Sequence, residues 1–276
     1  MDLTHLILTR FSVRAHDHSP APPRAWLEYR LRLFEAYCVP SFGNQTCQRF
    51  SWLVLCDEST GSWCVERLRE LGASVPQLTV ALTSPGRADV DAVLSRVGKG
   101  DWVLITTRVD SDDASSVDLV ERVQAYAPTF WAAGHDAALL NFSRGFKLKK
   151  ESGVLHDMWH PHSPHLTLFE RLDSGRRPVT VLSGNHGFMQ ERYPLHVDAG
   201  PPVWVQVVHG GNVSNTVLRT DHEVPRSSLG DRFALAETDL GEPVAAPQPN
   251  SSNAQAAFRQ GLEETLGDHD PAQPPR

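Results

Sequence analysis

Residues 102–113 read WVLITTRVDSDD, and this stretch decides the fold class. Its first half is a continuous apolar run, and its second half places Asp110, Asp112 and Asp113 within four positions. A strand that is apolar on both faces is typical of the middle of a parallel sheet covered by helices. Ligands of such sheets bind beyond the carboxyl ends of the strands. The stretch therefore predicts an α/β fold with an acidic site where a central strand ends.

The sequence around this stretch repeats the same alternation of apolar strands and amphipathic helices. Further strands are predicted at residues 6–8, 50–56 and 78–82, and helices at residues 27–38, 65–71, 90–97 and 117–126. Pro40, Gly72 and Gly98 predict the ends of the first three helices. We expect Ser115 or Ser116 to cap the fourth helix. The alternation predicts a Rossmann-type, mainly parallel sheet flanked by helices.

The pattern changes after residue 126. Short antiparallel strands are predicted at residues 138–142, 146–149 and 154–159, a short helix at residues 166–172, and two further strands at residues 179–182 and 204–208. These elements form a smaller antiparallel region that extends to residue 225. Residues 226–276 lose this periodicity and become rich in Pro, Ala, Gln and Asn. They predict a C-terminal tail that is largely disordered.

The composition excludes several classes of protein. The chain has 276 residues, of which 40% are hydrophobic, and this fits one large domain with a core. A net charge of −7 without a Lys/Arg block argues against nucleic acid as a partner. The four cysteines form no CxxC pair, which favours reduced core thiols over a zinc site. Without a secretory signal or an apolar run of about 20 residues, we expect a soluble cytoplasmic protein with no transmembrane segment.

The clustered carboxylates favour a divalent cation. Mg²⁺ and Mn²⁺ take oxygen ligands, often one or two carboxylates together with substrate phosphates. In an empty site the side chains of Asp110, Asp112 and Asp113 would repel one another, and a cation removes that repulsion. The alternative is a solvated acidic turn in which Ser111 or Asp113 caps the next helix. The position of the cluster after a buried strand and after Arg108 favours the cation.

Five segments together resemble the rhamnosyltransferase family of bacteria. They are residues 9–14 (TRFSVR), 26–34 (WLEYRLRLF), 52–55 (WLVL), 107–113 (TRVDSDD) and 204–215 (WVQVVHGGNVSN). The resemblance implies a GT-A fold, a nucleotide-diphosphate sugar donor and a divalent metal, Mn²⁺ or Mg²⁺. Rhamnose is the sugar that the family name suggests. On this basis residues 1–126 form the nucleotide-sugar-binding half and residues 127–225 the acceptor-side half of one domain.

The resemblance also implies roles for individual residues. Asp110 and Asp112 would contact the donor, while Asp112 and Asp113 would hold the metal. GT-A enzymes often complete the metal shell with a histidine from the second half. Two histidines fit that role. His209 follows the strand at 204–208 and precedes two glycines, and His186 lies in a glycine-containing loop. A lone histidine is otherwise structural or exposed.

Polar side chains at the ends of the other predicted strands would line the same rim. Thr9 and Arg10 follow the first strand, Asp57 follows the second, and Arg108 follows the fourth. The planar guanidinium groups of Arg10, Arg14 and Arg108 match phosphate geometry, although surface ion pairs are the alternative. Asp57 is a candidate for the donor base or ribose, or else it caps the following turn.

Transfer with inversion requires a general base that takes the proton of the acceptor hydroxyl. Glu170 is the first candidate and Asp157 the second, and a salt-bridge role is the alternative for both. We expect the acceptor to be a glycan, a lipid-linked molecule or a small molecule. A run of histidines is interpreted as an acceptor-side loop and not as a metal cluster, because prolines interrupt it: His156, His160, His162 and His165.

Other functions compete with this interpretation. A nucleotidyltransferase should have a Gly-rich basic loop after the first strand, but residues 12–24 contain no glycine. A metal-dependent phosphohydrolase should show further ligand motifs in the early strands. A non-catalytic nucleotide-sugar-binding module or a structural protein would lack donor hydrolysis or metal binding. We further expect Asp112→Ala to abolish transfer and leave the fold intact, because an exposed carboxylate at a strand end contributes little to packing.

Overall fold

The computed structural model describes residues 2–14, 20–83, 92–93, 95–97, 103–161, 163–172, 178–183, 189–212, 217–218, 221–236 and 243–244. In chain order the strands are β1 Leu3–Arg10, β2 Ser51–Asp57, β3 Leu78–Thr83, β4 Val103–Arg108, β5 Ala114–Ser115, β6 Ala137–Phe142, β7 Arg144–Lys149, β8 Val154–Trp159, β9 Thr167–Arg171, β10 Leu195–Asp198, β11 Trp204–Val208 and β12 His222–Val224. The α-helices are α1 Arg24–Leu33, α2 Val39–Gly43, α3 Ser62–Leu71, α4 Leu119–Ala125 and α5 Ala127–Ala133. The helix expected at residues 90–97 lies partly outside the described residues, with residues 92–93 helical, and the loop with His186 lies wholly outside them.

Seven strands form the larger sheet in the order β10-β6-β9-β4-β1-β2-β3. The pairs β3–β2, β2–β1 and β1–β4 are parallel, and β9 runs antiparallel to both of its neighbours. Residues 5–9 of β1 and all but one residue each of β2 and β4 are buried, as their continuous apolar sequences predict. The expected mixed α/β fold with a mainly parallel sheet and flanking helices is confirmed.

A second sheet of five strands has the order β12-β8-β7-β11-β5. The hairpin of β7 and β8 is antiparallel, as the sequence predicts. The strand predicted at 138–142 is present as β6, but it joins the larger sheet beside β9 and β10. Strand β5 begins directly after Asp113 and pairs with β11, so the acidic turn connects the two sheets.

The first helix is longer than its sequence pattern predicts. Helix α1 continues through one π-helical segment, Phe34–Cys38, into α2. Pro40 lies in the first turn of α2 and does not end the helix, so that prediction was wrong. The proline follows directly on the π-helical segment, where the regular i→i−4 hydrogen bonding is already interrupted, so its missing amide is tolerated there. The predicted stop of α3 at Gly72 is confirmed.

The expected cap of α4 was also wrong. Ser115 belongs to β5, and the residue at the start of α4, Asp118, makes no side-chain cap hydrogen bond. The side-chain oxygen of Gln45 accepts the hydrogen bond of the Val120 amide at 2.9 Å instead. A residue remote in sequence therefore satisfies a helix-end donor, which a local pattern does not reveal.

Two further elements differ from the sequence prediction. Residues 166–172 do not form a helix, because residues 167–171 form the buried strand β9 between β4 and β6. The two neighbours supply hydrogen-bond partners along both edges of β9. Residues 179–182 are not a strand but an irregular turn, in which Thr180 has a φ of 66°. Tertiary pairing outweighs local propensity at both places.

The chain after residue 225 begins with a packed segment. A 3₁₀ segment, Arg226–Arg232, brings Leu229 and then Phe233 into the apolar cluster between the second sheet and α1. The backbone oxygen of Arg232 accepts the Val117 amide at 2.8 Å. The described residues after 225 therefore contribute to the core.

Candidate active site

The turn at Asp110–Asp113 lies where β4 leaves the larger sheet. The amide of Val109 still donates to Leu8 of β1 at 3.1 Å, and the amide of Asp113 donates to the Asp110 oxygen at 3.3 Å. Cys38 donates its thiol proton to the backbone oxygens of Asp110 and Asp113, at 3.3 and 3.0 Å. The turn is thus fixed against the end of the π-helical segment, with its carboxylates at the carboxyl edge of the sheet.

Asp112 is buried and lies at the centre of a polar network. Its Oδ2 accepts from Nη1 of Arg30 at 2.8 Å and lies 2.9 Å from Nε2 of His209. Asn212 Nδ2 lies 3.4 Å from the same oxygen. Burial raises the pKa of Asp112, but the Arg30 charge and the His209 hydrogen bond outweigh it and lower the pKa to about 2. The carboxylate is therefore ionised at neutral pH.

His209 follows β11, as the sequence predicts, and is fixed on its other side. The hydroxyl of Tyr29 lies 3.2 Å from Nδ1 of His209 and 3.2 Å from its backbone oxygen. The His209 amide donates to Asn212 Oδ1 at 2.7 Å. A hydrogen-bond partner on the second ring nitrogen is the usual support of a metal-binding histidine.

The structure explains why glycine stands at both positions after His209. Gly210 has a φ of 70°, in the left-handed region that glycine adopts at little cost. A Cβ at Gly211 would lie 2.7 Å from the backbone oxygen of Val244. Pro243 and Val244 therefore lie against the turn that carries His209, and a larger residue at Gly211 would displace them.

Asp113 is fully buried and only half satisfied. Its Oδ1 accepts the Val207 amide at 2.9 Å, which extends the short pairing of β5 with β11. Its Oδ2 is buried and has no hydrogen-bond partner. Burial and the neighbouring charges of Asp112 and Asp110 raise the pKa of Asp113 well above its ordinary value. An unsatisfied buried carboxylate oxygen beside a second carboxylate is a feature that a bound cation would explain.

Asp110 points toward a different partner. Its carboxylate pairs with Arg108, with Nη2 and Nε of the arginine 3.0 and 3.2 Å from Oδ1. The side chain of Asp110 is 33% exposed, in contrast to the other two acidic residues. His165 is buried nearby, and its Nε2 lies 2.8 Å from Ser115 Oγ. Burial lowers the pKa of His165 to about 4.

The predicted donor-binding residues of the first two strands lie at the same sheet edge. Arg10 donates to the Leu182 oxygen at 2.7 Å. Arg14 forms an ion pair with buried Asp57 at 2.9 Å. Thr9 faces the core, where its hydroxyl accepts from Trp52 Nε1 at 3.0 Å. Thr9 therefore has a packing role in this structure.

Asp57 is held in its ionised form at the end of β2. Its Oδ1 accepts from the amide of Ser59 at 2.8 Å. Burial raises the pKa of Asp57, but hydrogen bonds from Ser59 and Arg14 outweigh it and hold the pKa below the usual value. These contacts form the turn after β2, as one of the two sequence interpretations expected.

The structure does not bring Glu170 to the acidic turn. Because β9 is antiparallel to β4, Glu170 lies beside Leu104 near the beginning of β4, at the opposite edge of the sheet. Its two carboxylate oxygens accept the amides of Val179 and Thr180 at 2.8 and 3.0 Å. Glu170 therefore fixes a turn far from the carboxylate cluster.

Asp157 and the four histidines are spread over the second sheet and the loop after it. Asp157 lies in β8 with its side chain 39% exposed, 3.7 Å from an Arg144 nitrogen. His156 faces Glu223 at 3.9 Å and His165 faces Ser115, so these two do not share a site. His162 lies outside the described residues. Within the described ranges, no three His, Cys, Asp or Glu side chains are grouped as a ready-made metal site.

Sequence reasoning missed Arg30, Tyr29 and Asn212. Arg30 and Tyr29 lie on α1, whose sequence the family resemblance included but whose polar positions carried no distinguishing pattern. Asn212 follows the two glycines after His209 within another resembling segment. Their roles depend on contacts between residues 82 to 180 positions apart, which no local spacing encodes.

Residues 21–221 match the family described as Putative rhamnosyl transferase. The chain belongs to this family of glycosyltransferases. The crystal structure of S. aureus TarS 1–349 with UDP-GlcNAc has a TM-score of 0.44 and 14% identity, over 79% of this chain and 62% of that one. A second crystal structure of S. aureus TarS 1–349 has a TM-score of 0.41 and 14% identity, over 75% of this chain and 60% of that one. This chain thus spans about three fifths of the TarS 1–349 chains, and no curated protein matches it.

The cysteines are thiols in the structure, and the described α-helices are short. All four cysteines are free, and Cys38, Cys56 and Cys64 are buried. Among the described residues, no helix has both the length and the apolar character needed to cross a bilayer.

Proposed function

We propose that this protein transfers a sugar, with rhamnose as the first candidate, from a nucleoside-diphosphate donor to an acceptor hydroxyl in a metal-dependent reaction. One observation carries the proposal. Asp112 from the end of β4 and His209 from the end of β11 meet at 2.9 Å, and the residue after Asp112, Asp113, has a buried Oδ2 without a hydrogen-bond partner. Membership of the family supports the sugar-transfer chemistry.

The residues fit a divalent cation by their chemistry. Carboxylate oxygens and an imidazole nitrogen are ligands that Mn²⁺ accepts. In the hydrogen-bonded arrangement Nε2 of His209 donates to Asp112. If Nδ1 carried the proton instead and donated to the Tyr29 hydroxyl, Nε2 would turn its lone pair toward Asp112 and could bind a cation there. Asp112, Asp113 and His209 would hold the ion, while His186 lies outside the described residues. When bound, the ion supplies positive charge for the leaving diphosphate.

The chain's own residues have separable tasks in this proposal. Tyr29 orients the imidazole of His209 from behind, and Val207 orients Asp113 through its amide. Arg108 and the partly exposed Asp110 form the polar wall toward the donor. Arg10, Arg14 and Asp57 line the same edge from the neighbouring strands. We retain Asp157 as the candidate general base, because the carboxylate of Glu170 is committed to two backbone amides.

The test compares wild type with Asp112→Asn, which keeps the size of the buried side chain. We expect Mn²⁺ with UDP, GDP or dTDP to raise the melting temperature of the wild type for at least one nucleotide. The variant should lose that rise and the hydrolysis of the matching nucleotide sugar. Asn serves better than Ala here, because Asp112 is buried and Asn keeps its size and one acceptor oxygen for Arg30, whereas Ala would leave a cavity. Full activity of Asp112→Asn with Mn²⁺ supplied would exclude the metal role.

A further inference from the structure

Arg30 is the cation that contacts Asp112. Its Nη1 lies 2.8 Å from Oδ2 and its Nη2 lies 3.4 Å from Oδ1, so the planar fork faces both carboxylate oxygens. The Nη2 group also contacts the Ser111 hydroxyl. The guanidinium therefore occupies the side of Asp112 that an incoming cation would need. This placement is the usual geometry of a bidentate arginine–carboxylate pair.

The pair is not fully satisfied. The side chain of Arg30 is 14% exposed, and its Nε is buried without a hydrogen-bond partner. The ring of Trp26, one turn earlier on α1, lies 5.5 Å from the guanidinium carbon. A buried donor without an acceptor is costly. An acceptor supplied from outside the protein, such as a phosphate oxygen, would remove that cost.

The charges at the turn also favour an exchange of cations. Asp110 is neutralised by Arg108 and Asp112 by Arg30. A dication that binds Asp112 and His209 would lie within a few ångströms of the Arg30 guanidinium and repel it. A diphosphate brings several negative charges into the same place, and its oxygens match the arginine fork. The displaced guanidinium would then gain a partner as the donor binds.

We propose that Arg30 is an exchangeable counterion of Asp112. In the metal-free protein it neutralises the carboxylate, and when metal and donor bind it leaves Asp112 and pairs with the donor diphosphate. Arg30 is then a residue that both competes with the metal and binds the substrate. This inference rests on the proposed function, and it makes the binding of metal and donor mutually dependent.

The test measures metal binding without any turnover. The Mn²⁺ dissociation constant of Arg30→Gln, measured by electron paramagnetic resonance without nucleotide, should fall about tenfold below the wild-type value, because the competing cation is gone. At saturating Mn²⁺, the dissociation constant for the nucleotide diphosphate, measured by calorimetry with UDP, GDP and dTDP, should rise about tenfold. If Arg30 only stabilised the structure, Arg30→Gln would weaken the binding of both Mn²⁺ and the nucleotide diphosphate.

Two further variants make the outcome decisive. Arg30→Lys keeps the positive charge but cannot span both carboxylate oxygens. It should therefore bind Mn²⁺ more tightly than wild type and less tightly than Arg30→Gln. Arg24→Ala removes an exposed arginine of the same helix, which pairs with Glu28 at 2.8 Å, and should leave both constants unchanged. If both Arg30 variants bind Mn²⁺ as wild type does, or more weakly, the proposed exchange of Arg30 for Mn²⁺ at Asp112 is overturned. If wild type binds Mn²⁺ but none of the nucleotides, the donor proposal fails, while the Mn²⁺ comparison still decides the role of Arg30.

Discussion

At the scale of single residues, burial separates carboxylates that look alike in the sequence. Asp110 is one third exposed and paired with Arg108, Asp112 is buried between Arg30 and His209, and Asp113 has one unsatisfied oxygen. Sequence analysis assigned the cluster correctly to the end of a buried strand. Its expectation that Asp112 is exposed was wrong, because Arg30 and His209 cover it. Asp112→Ala is therefore expected to destabilise the fold as well as the proposed activity.

The role of Glu170 can be tested against that of Asp157. Glu170→Gln should lower the free energy of unfolding by about 1–3 kcal/mol, because an amide accepts fewer backbone hydrogen bonds than a carboxylate. Its kcat for transfer should stay near that of the wild type, whereas Asp157→Asn should lower kcat strongly. Chemical denaturation and initial rates with the matching donor measure both effects. A large loss of kcat in Glu170→Gln, with Asp157→Asn unaffected, would restore Glu170 as the base.

His165 makes stability depend on pH. Its pKa of about 4 in the folded protein lies below the ordinary value of 6.5, so in the folded state it stays neutral between these values while the unfolded chain takes up a proton. This contribution is present above pH 6.5 and is lost as the pH falls toward 4, by roughly 3 kcal/mol in total. His165→Gln should therefore lose less stability than wild type over that range. Parallel curves of unfolding free energy against pH for the two proteins would contradict the assignment.

At the scale of elements, the second sheet depends on one close approach. Gly145 of β7 lies under Trp204 of β11, and a Cβ at Gly145 would come within 2.0 Å of the indole ring. The indole nitrogen also donates to the Phe142 oxygen at 2.9 Å, which fixes the ring between the two sheets. The absence of a side chain at Gly145 thus allows β11, and with it His209, to lie beside the acidic turn.

Substitution at Gly145 tests this packing. Gly145→Ala should reduce the free energy of unfolding by about 3 kcal/mol, because Trp204 must move away from its hydrogen bond. Gly43→Ala in α2 is the matched control, since its Cβ would meet only Val75 at an ordinary 3.5 Å. That control should be neutral or slightly stabilising, because alanine favours a helix. Equal melting temperatures for the two variants would show that the ring has room to shift.

At the scale of the whole molecule, the chain between residues 226 and 236 closes the fold over the second sheet. Phe233 packs against Phe146 at a ring distance of 5.9 Å, and Ala236 donates to the Ala36 oxygen at 2.9 Å. Arg232 adds an ion pair with Asp118 at 3.0 Å. These contacts join residues 226–236 to the π-helical segment Phe34–Cys38, to β7 and to Asp118 at the start of α4.

Two truncations locate the end of the required chain. A chain of residues 1–225 should melt well below the 276-residue chain, because it loses the burial of Leu229 and Phe233, worth about 1.5–3 kcal/mol each. A chain of residues 1–244 keeps these contacts and the packing of Val244 on Gly211, and should melt like the 276-residue chain. Thermal unfolding by circular dichroism measures both. Identical melting temperatures for all three chains would place the end of the required chain before residue 226.

The sequence alone determined the strands β1 to β4, the helices α1, α3 and α4, the acidic turn after β4 and the position of His209 after β11. These features follow from local periodicity and strand ends, which short-range spacing encodes. The tertiary structure decided that residues 167–171 form a central strand, that Glu170 fixes a remote turn and that Arg30 contacts Asp112. Those outcomes depend on which distant segments meet and exclude water, and a linear pattern of residues does not specify such contacts.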